Sequence, residues 1–462
     1  MKRTPSASRL GLLIGALLAM LATGAPLGAE TATPESAPAP AQSAPTPVAP
    51  PPPAAPSEPA PVTSAPPVSA APAAPQATNP APAQTAAKKP KPKPKPAPPR
   101  EAALSDDPTP ALQPQTFFTT SKAADRYRQI VDLGGWPRVG VSLRPGAKGP
   151  AVSALRRRLA AEDDGIVDTA KEKWDADLTA AVKRFQYRLG LKQTGVVAGA
   201  TLRELDVPAE TRFHQLESTA QRLTAFDFAF GPRYIVVNIP STAVDAVEDD
   251  RVMRRYAAIV GDPEHHSPEL QAKVVAVNIN PTWTVPVSII KNEIAPKMLK
   301  DPTYLQRSHI RVLNAQREEV DPRSINWASE RAAQYTLRQD SGADNSLGSI
   351  RISMPNSHSV YMHDTPSRNL FANDYRFLSH GCVRVQSVVD LAAWLLDGES
   401  GPQMSKEEIN AKIASGEREE ARLTQHVPVA WVYMTGWASA DGLVHFRDDV
   451  YHLDEVSGIA EQ

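Results

Sequence analysis

Cysteine is nearly absent: Cys382 is the only one in 462 residues. A lone cysteine forms no intrachain disulfide, so no disulfide framework holds this fold, and a zinc site built from several thiolates is excluded. The histidines do not fill that gap. His265 and His266 are adjacent and would point apart on a strand, while His358, His363 and His380 lack zinc-site spacing. No catalytic metal is expected. An excess of one charge sign is missing too. Fifty basic and 51 acidic residues leave a net charge of −1, which gives no reason to expect a nucleic-acid partner. No Gly-x-Ser-x-Gly elbow occurs. Beyond the N-terminal stretch, no run is apolar for the roughly twenty residues that a spanning helix needs.

That N-terminal stretch reads Met1-Lys2-Arg3, then Arg9, then an apolar run from Leu10 to Ala22 and small residues to Gly28-Ala29. A basic start, a short apolar centre and small residues predict a signal peptide over residues 1–29, cut after Ala25 or Ala29. No cysteine is there to carry a lipid. The expectation is an exported, soluble protein with no stable membrane anchor after cleavage.

Residues 31–100 hold 24 of the 46 prolines, which assigns more than half the proline to one segment. Such a composition favours extended polyproline II and buries no core. A disordered Pro/Ala/Lys-rich linker is expected over 30–115, with five positive charges between Lys88 and Lys95. It reads as a spacer between the body and the membrane, or as a solvated linker without a partner.

From Phe117 the composition turns globular, and an α+β fold is expected. Residues 116–142 predict a helical scaffold segment. Val152, Leu155 and Leu159 recur at helical spacing, as do Leu178, Val182, Phe185 and Leu189 behind Asp177 as a cap; Thr201 to Leu205 starts a third helix. This pattern over 143–207 resembles a three-helix peptidoglycan-binding domain, with a longer and highly charged first loop. A helical connector over 208–232 leads into a β-rich region, 233–455. Its strands are expected around 233–240, 252–260, 274–279, 350–354 and 360–362, and the C-terminal strands near 429–435 and 443–446 are expected to complete the sheet. Residues 287–345 interrupt the sheet as a candidate lid, with Trp283 at its start. Ser387 is expected to cap a helix to Leu396.

The chemistry gathers at Tyr361-Met-His363-Asp364-Thr-Pro and Phe377-Leu-Ser379-His380-Gly381-Cys382-Val-Arg384. A cysteine nucleophile needs a group that takes its proton, and imidazole titrates in the right range. Spacing leaves two candidate bases. His380, two residues from Cys382, would share a strand face with it; His363 would need a turn, for which Pro366 and Asn369 to Asp374 supply residues. A reactive thiol of this kind is expected to titrate below the free value of about 8.5.

His363, fifteen intervening residues and then Ser-His-Gly-Cys resembles the signature of the L,D-transpeptidases with a YkuD-type catalytic domain. His-Asp-Thr-Pro-Ser, Asn-Pro-Thr-Trp-Thr-Val-Pro and Ser-His-Gly-Cys-Val-Arg resemble its large periplasmic YcbB-like branch. The resemblance implies a β-rich catalytic domain and 3→3 cross-linking of peptidoglycan stem peptides through a cysteine acyl-enzyme. It makes His363 the base, oriented by the Asp364 backbone carbonyl, and needs no cofactor. Gly381 and Cys382 N–H groups with the Tyr361 hydroxyl would hold the oxyanion. Ser379, His380, Arg384 and Trp283 are candidates for substrate binding; Arg384 stands where many members carry Asn. Other acceptors of the same chemistry are water, a free D-amino acid or a protein lysine, and other cell-wall synthesis proteins are candidate partners. The competing class is a non-catalytic wall-binding scaffold.

Overall fold

Alternating apolar residues build a sheet that closes on itself. The computed structural model describes residues 100–454 except 163. Its strands are β1 Arg233–Asn238, β2 Ala243–Glu248, β3 Arg251–Gly261, β4 Leu270–Ile279, β5 Trp283–Thr284, β6 Ile310–Leu313, β7 Thr336–Gln339, β8 Ile350–Ser353, β9 Met362–His363, β10 Phe377–Ser379, β11 Val383–Val385, β12 Glu419–Val432, β13 Gly436–Ala438 and β14 Val444–Phe446. The main sheet runs β10-β3-β11-β9-β8-β4-β12-β1-β2, and β2 also pairs with β3, which closes the ring. Ile235, Val237, Val244, Ala258, Val260, Val277 and Ile352 point inward, and the largely apolar helix Val388–Leu396 packs against that core. Tyr234, Val236, Ala430 and Val432 alternate to the other face and meet Leu112, Leu223 and Phe228.

The insertion between β4 and β8 has its own core. Val285, Ile290, Ile294, Met298, Leu305, Val312, Trp327 and Leu337 are buried together beneath a helical run over 287–300 and the sheet β5-β7-β6. The expected insertion is therefore an independent layer, and it begins at Trp283, whose strand joins its sheet.

Five helices form the helical part: α1 Thr116–Asp132, α2 Pro150–Ala160, α3 Ala176–Arg188, α4 Gly199–Leu205 and α5 Ala209–Thr224. The cap of α3 is Asp175, not Asp177; its carboxylate accepts from Leu178 N at 3.0 Å. The charged first loop folds inward. Arg158 and Arg188 meet Glu162 at 2.5 and 2.9 Å, Arg188 meets Asp164 at 2.8 Å, and the Tyr127 hydroxyl of α1 donates to Glu162 at 2.6 Å. All five side chains are buried.

Three further expectations give way. Residues 100–115 are not free linker. Ala103 N donates to Gly190 O at 2.8 Å, Arg255 donates to the carbonyls of Ser105, Asp107 and Thr109, and Leu112 is buried on the sheet's outer face. Here extended, proline-rich backbone finds fixed donors, which composition does not reveal. The second concerns the C-terminal strands. β12 does sit inside the main sheet, but β13 and β14 form a separate hairpin whose Ala438, Val444 and Phe446 pack into the helical core. Last, Ser387 precedes its helix at φ +52° without a side-chain cap bond. The expected signal peptide and most of the linker lie outside the described residues. Among those described, no helix is long and apolar enough to cross a membrane.

Candidate active site

Strand register brings the two motifs together. β9 and β11 run parallel, with Met362 beside Val383 and His363 beside Arg384. Val383 N donates to Tyr361 O at 3.1 Å, so Cys382 stands next to Tyr361 at the head of β11. In-register neighbours share a face, which places Tyr361, His363, Cys382 and Arg384 on one side of the sheet.

Each position is held from behind. Gly381 has φ +103°, where other residues are strained. A Cβ there would stand 3.3 Å from His266 O. Its carbonyl accepts from the Ser267 hydroxyl at 2.8 Å. Ser379 is buried; its hydroxyl donates to Cys382 O at 2.5 Å and accepts from Gly381 N at 3.3 Å. Ser379 thus shapes the turn and offers no exposed face to a substrate, contrary to the expectation that it binds one. The Gly381 N–H is also directed at this hydroxyl, and among the described residues the Cys382 N–H meets no acceptor.

His363 is buried, and its Nδ1 lies 2.5 Å from Asp364 O. A carbonyl only accepts, so Nδ1 carries the proton and Nε2 keeps its lone pair. The Asp364 backbone is fixed through its own N–H to Ile350 O at 2.9 Å. Its carboxylate accepts from Ser349 N at 3.0 Å, the Ser349 hydroxyl at 2.8 Å and Arg368 at 3.0 Å. Gly348 permits this approach; a Cβ on it would fall 2.5 Å from that carboxylate. Gly348, Ser349 and Arg368 escaped the sequence reading. Only the glycine beside a serine, just before an expected strand, hinted at them.

Burial sets the charge states. It pushes the His363 imidazole down to about 4, with the Arg384 cation adding to the effect. It pushes the Cys382 thiol up to about 11, against the opposing pull of the Tyr361 N–H and of Arg384. Burial thus works against the expected depressed thiol and favours a neutral thiol beside a neutral imidazole. Arg384 is itself buried enough to lower its own affinity for a proton, and its Nε has no hydrogen-bond partner. The Tyr361 hydroxyl is pushed well above the ordinary phenol range by burial, and the Trp283 side chain faces it.

His380 points elsewhere. Its Nε2 lies 3.0 Å from Glu293 in the helical run of the insertion, and its ring is 4.5 Å from that of His265. His265 in turn bonds Asp262 at 2.9 Å, while His266 stacks on Tyr451 at 3.9 Å. The oriented imidazole is therefore His363; His380 joins the sheet to the insertion. Among the described residues no three His, Cys, Asp or Glu side chains gather as a metal site requires.

Comparison with known proteins agrees with this architecture. Residues 232–404 match the YkuD family, described as "L,D-transpeptidase catalytic domain", and residues 148–205 match one described as "Putative peptidoglycan binding domain". A curated protein of Haemophilus influenzae named "Putative L,D-transpeptidase" is 35% identical over 249 residues, 54% of this chain and 49% of the relative. The chain thus spans about half the length of that relative. Solved L,D-transpeptidases from Mycobacterium smegmatis and Stackebrandtia nassauensis are 15% and 13% identical, with TM-scores of 0.23 and 0.24. The first alignment covers 44% of this chain and 58% of that one, the second 64% and 96%, and at these scores neither carries weight. With strands, closed turn and oriented imidazole in place, residues 232–404 match the L,D-transpeptidase catalytic domain of the YkuD family, beside a match to a putative peptidoglycan binding domain at 148–205.

Proposed function

We propose that this protein forms 3→3 cross-links between peptidoglycan stems through an acyl-enzyme on Cys382. The donor is a tetrapeptide stem ending in a diamino acid and D-alanine. The sulfur attacks the carbonyl between them, His363 Nε2 takes the thiol proton, and the amine of D-alanine leaves with it. A second stem's amine then resolves the thioester. The supporting observation is the bond from His363 Nδ1 to Asp364 O, which leaves Nε2 as an acceptor on the face that holds Cys382.

The resting pair is neutral, so charge develops only as the bond to the substrate forms. Arg384, half-buried beside both groups, stabilises the negative sulfur as the proton departs. The Cys382 N–H and the Tyr361 hydroxyl are the donors for the oxyanion; such donors are worth about 2.7–4 kcal/mol each. Trp283 steadies Tyr361 and carries the lid's first strand. The substrate places the protein in the periplasm, with the proline-rich stretch as a spacer. Peptidoglycan is its partner, met through both domains.

The deciding measurement is mass spectrometry of muropeptides after incubation with the purified protein. Dimers joined between two diamino acids are expected with the wild type and absent with Cys382→Ala. Cross-linking by the alanine variant would reject the nucleophile.

A further inference from the structure

A polar row crosses the sheet beyond the catalytic pair. Register aligns Arg384 with His363, His363 with Arg351, Arg351 with Asn278, and Asn278 with Glu420. All five lie on one face, each about one strand spacing, roughly 4.8 Å, from the next. His363 is therefore flanked by two guanidiniums, and they differ. Arg384 is half-buried beside the sulfur, with its Nε shielded from water. Arg351 is half-buried and lines an open groove of about 460 Å³ with Asn278, Pro281, Thr282, Arg418 and Glu420.

Arg351 is aimed rather than neutralised. Its Nε and Nη2 both donate to Asn278 Oδ1, at 3.0 and 2.8 Å, and Asn278 Nδ2 donates to Glu420 at 3.3 Å. The guanidinium lies 5.6 Å from the centre of the Tyr361 ring. Among the described residues no carboxylate forms an ion pair with it. Glu419 and Glu420, on the far wall, are already paired with Lys412 and Arg422. A guanidinium held by a neutral amide, in an open groove, keeps its charge and Nη1 for an anion.

We infer that Arg351 is a specificity-determining residue for the acceptor: it binds a carboxylate borne on the same carbon as the attacking amine. This rests on the acyl-enzyme reading above. In the second half-reaction the amine nitrogen bonds to the thioester carbonyl, the C–S bond breaks, and the amine proton passes through His363 to sulfur. The attacking nitrogen must lie beside His363, and an α-carboxylate carbon is roughly 2.5 Å from it. One strand away, Arg351 meets that carboxylate. The acceptors it selects are free amino acids and diamino acids whose amine has a neighbouring carboxylate. A plain lysine amine lacks that group.

The test separates the two steps. The wild-type protein is first acylated by a donor tetrapeptide, and the thioester is read by intact mass. D-methionine and D-methioninamide are then offered together in equal amounts, and their products are compared. The acid is expected to win by roughly ten- to a hundredfold, the range of a charge-assisted hydrogen bond. Arg351→Gln should bring the ratio close to one, and Arg351→Lys should restore part of it. A competition ratio does not depend on how much of a variant is folded. A thioester that reacts equally with both, or a preference that survives in Arg351→Gln, would overturn this inference alone. Failure of the wild type to form the thioester would overturn the acyl-enzyme reading and this inference with it.

Discussion

In the helical part, Arg158, Glu162, Asp164 and Arg188 are buried against one another; beside Cys382, Arg384 is half-buried, its Nε shielded, with no carboxylate partner among the described residues. The first group is closed. Glu162 answers two guanidiniums and a phenol, and together they hold it far below the ordinary carboxylate range despite its burial. Only Arg158 Nη2 lacks a hydrogen bond, and that guanidinium lies 3.8 Å over the Trp136 ring. The second site is open: among the described residues Arg384 Nε has no partner and the Cys382 N–H no acceptor, and His363 keeps a lone pair. Desolvation acts on both regions. Where partners answer it, the result is rigidity; where they do not, the unanswered valences wait for a substrate.

Substitution should separate the two most sharply at Cys382 and Arg188. Cys382→Ala and His363→Ala are expected to abolish cross-linking while leaving the melting temperature near the wild type's, as read by product assay and calorimetry. Arg188→Met should do the reverse. It strands Asp164 and leaves Glu162 with Arg158 and Tyr127 alone; breaking a buried pair costs about 3–5 kcal/mol. Denaturant unfolding should show that loss, while turnover per folded molecule holds. If Arg188→Met lost turnover without losing stability, the closed cluster would not be structural.

How much of this was legible beforehand follows the same division. Local signals carried the strands around Val236, Val260 and Val277 and the helices around Leu155 and Phe185. Cys382 stood out because a lone thiol beside histidines is chemically unusual; the choice of His363 over His380, and the role of Tyr361, rested on the family resemblance. The strand Ala243–Glu248, which closes the ring, went unseen because its apolar run is short. The anchors of Asp364 and the row through Arg351 and Asn278 depend on register between strands far apart in sequence, which no local pattern encodes. Ser379 and His380 were seen, but their partners, Cys382 O and Glu293, were not.

The neutral resting pair makes the next expectation one of pH. With the thiol pushed up to about 11, alkylation of Cys382 by iodoacetamide should rise steadily from pH 7 to 10. Each unit multiplies the thiolate about tenfold. A plateau near pH 8.5, as for an exposed thiol, would mean that the site is wet. A plateau below pH 7 would mean a preformed ion pair.

Arg384→Gln should lower acylation by roughly ten- to a hundredfold, the loss of one charge-assisted interaction. Stability should hold or rise slightly, because a half-buried cation with a shielded, unpartnered Nε adds nothing to the fold. Stopped-flow acylation and thermal unfolding on the same sample read both effects. A clear drop in melting temperature would move Arg384 into the closed class.

The smallest effect expected is at Arg255, and it would convert one class into the other. This guanidinium is largely buried, paired with Asp245 at 2.6 Å, and its remaining donors reach the carbonyls of Ser105, Asp107 and Thr109. A chain starting at residue 100 keeps those acceptors and should melt with the full-length protein. A chain starting at residue 113 removes them, along with Leu112 and the backbone bond from Val252 N to Pro108 O. Arg255 would then resemble Arg384, a cation with unfilled donors. Water can reach the exposed side once the strap is gone, so the loss should be modest, about 1–3 kcal/mol. Equal melting temperatures for the two truncated chains would show that residues 100–112 only lie along the surface, and that Arg255 needs Asp245 alone.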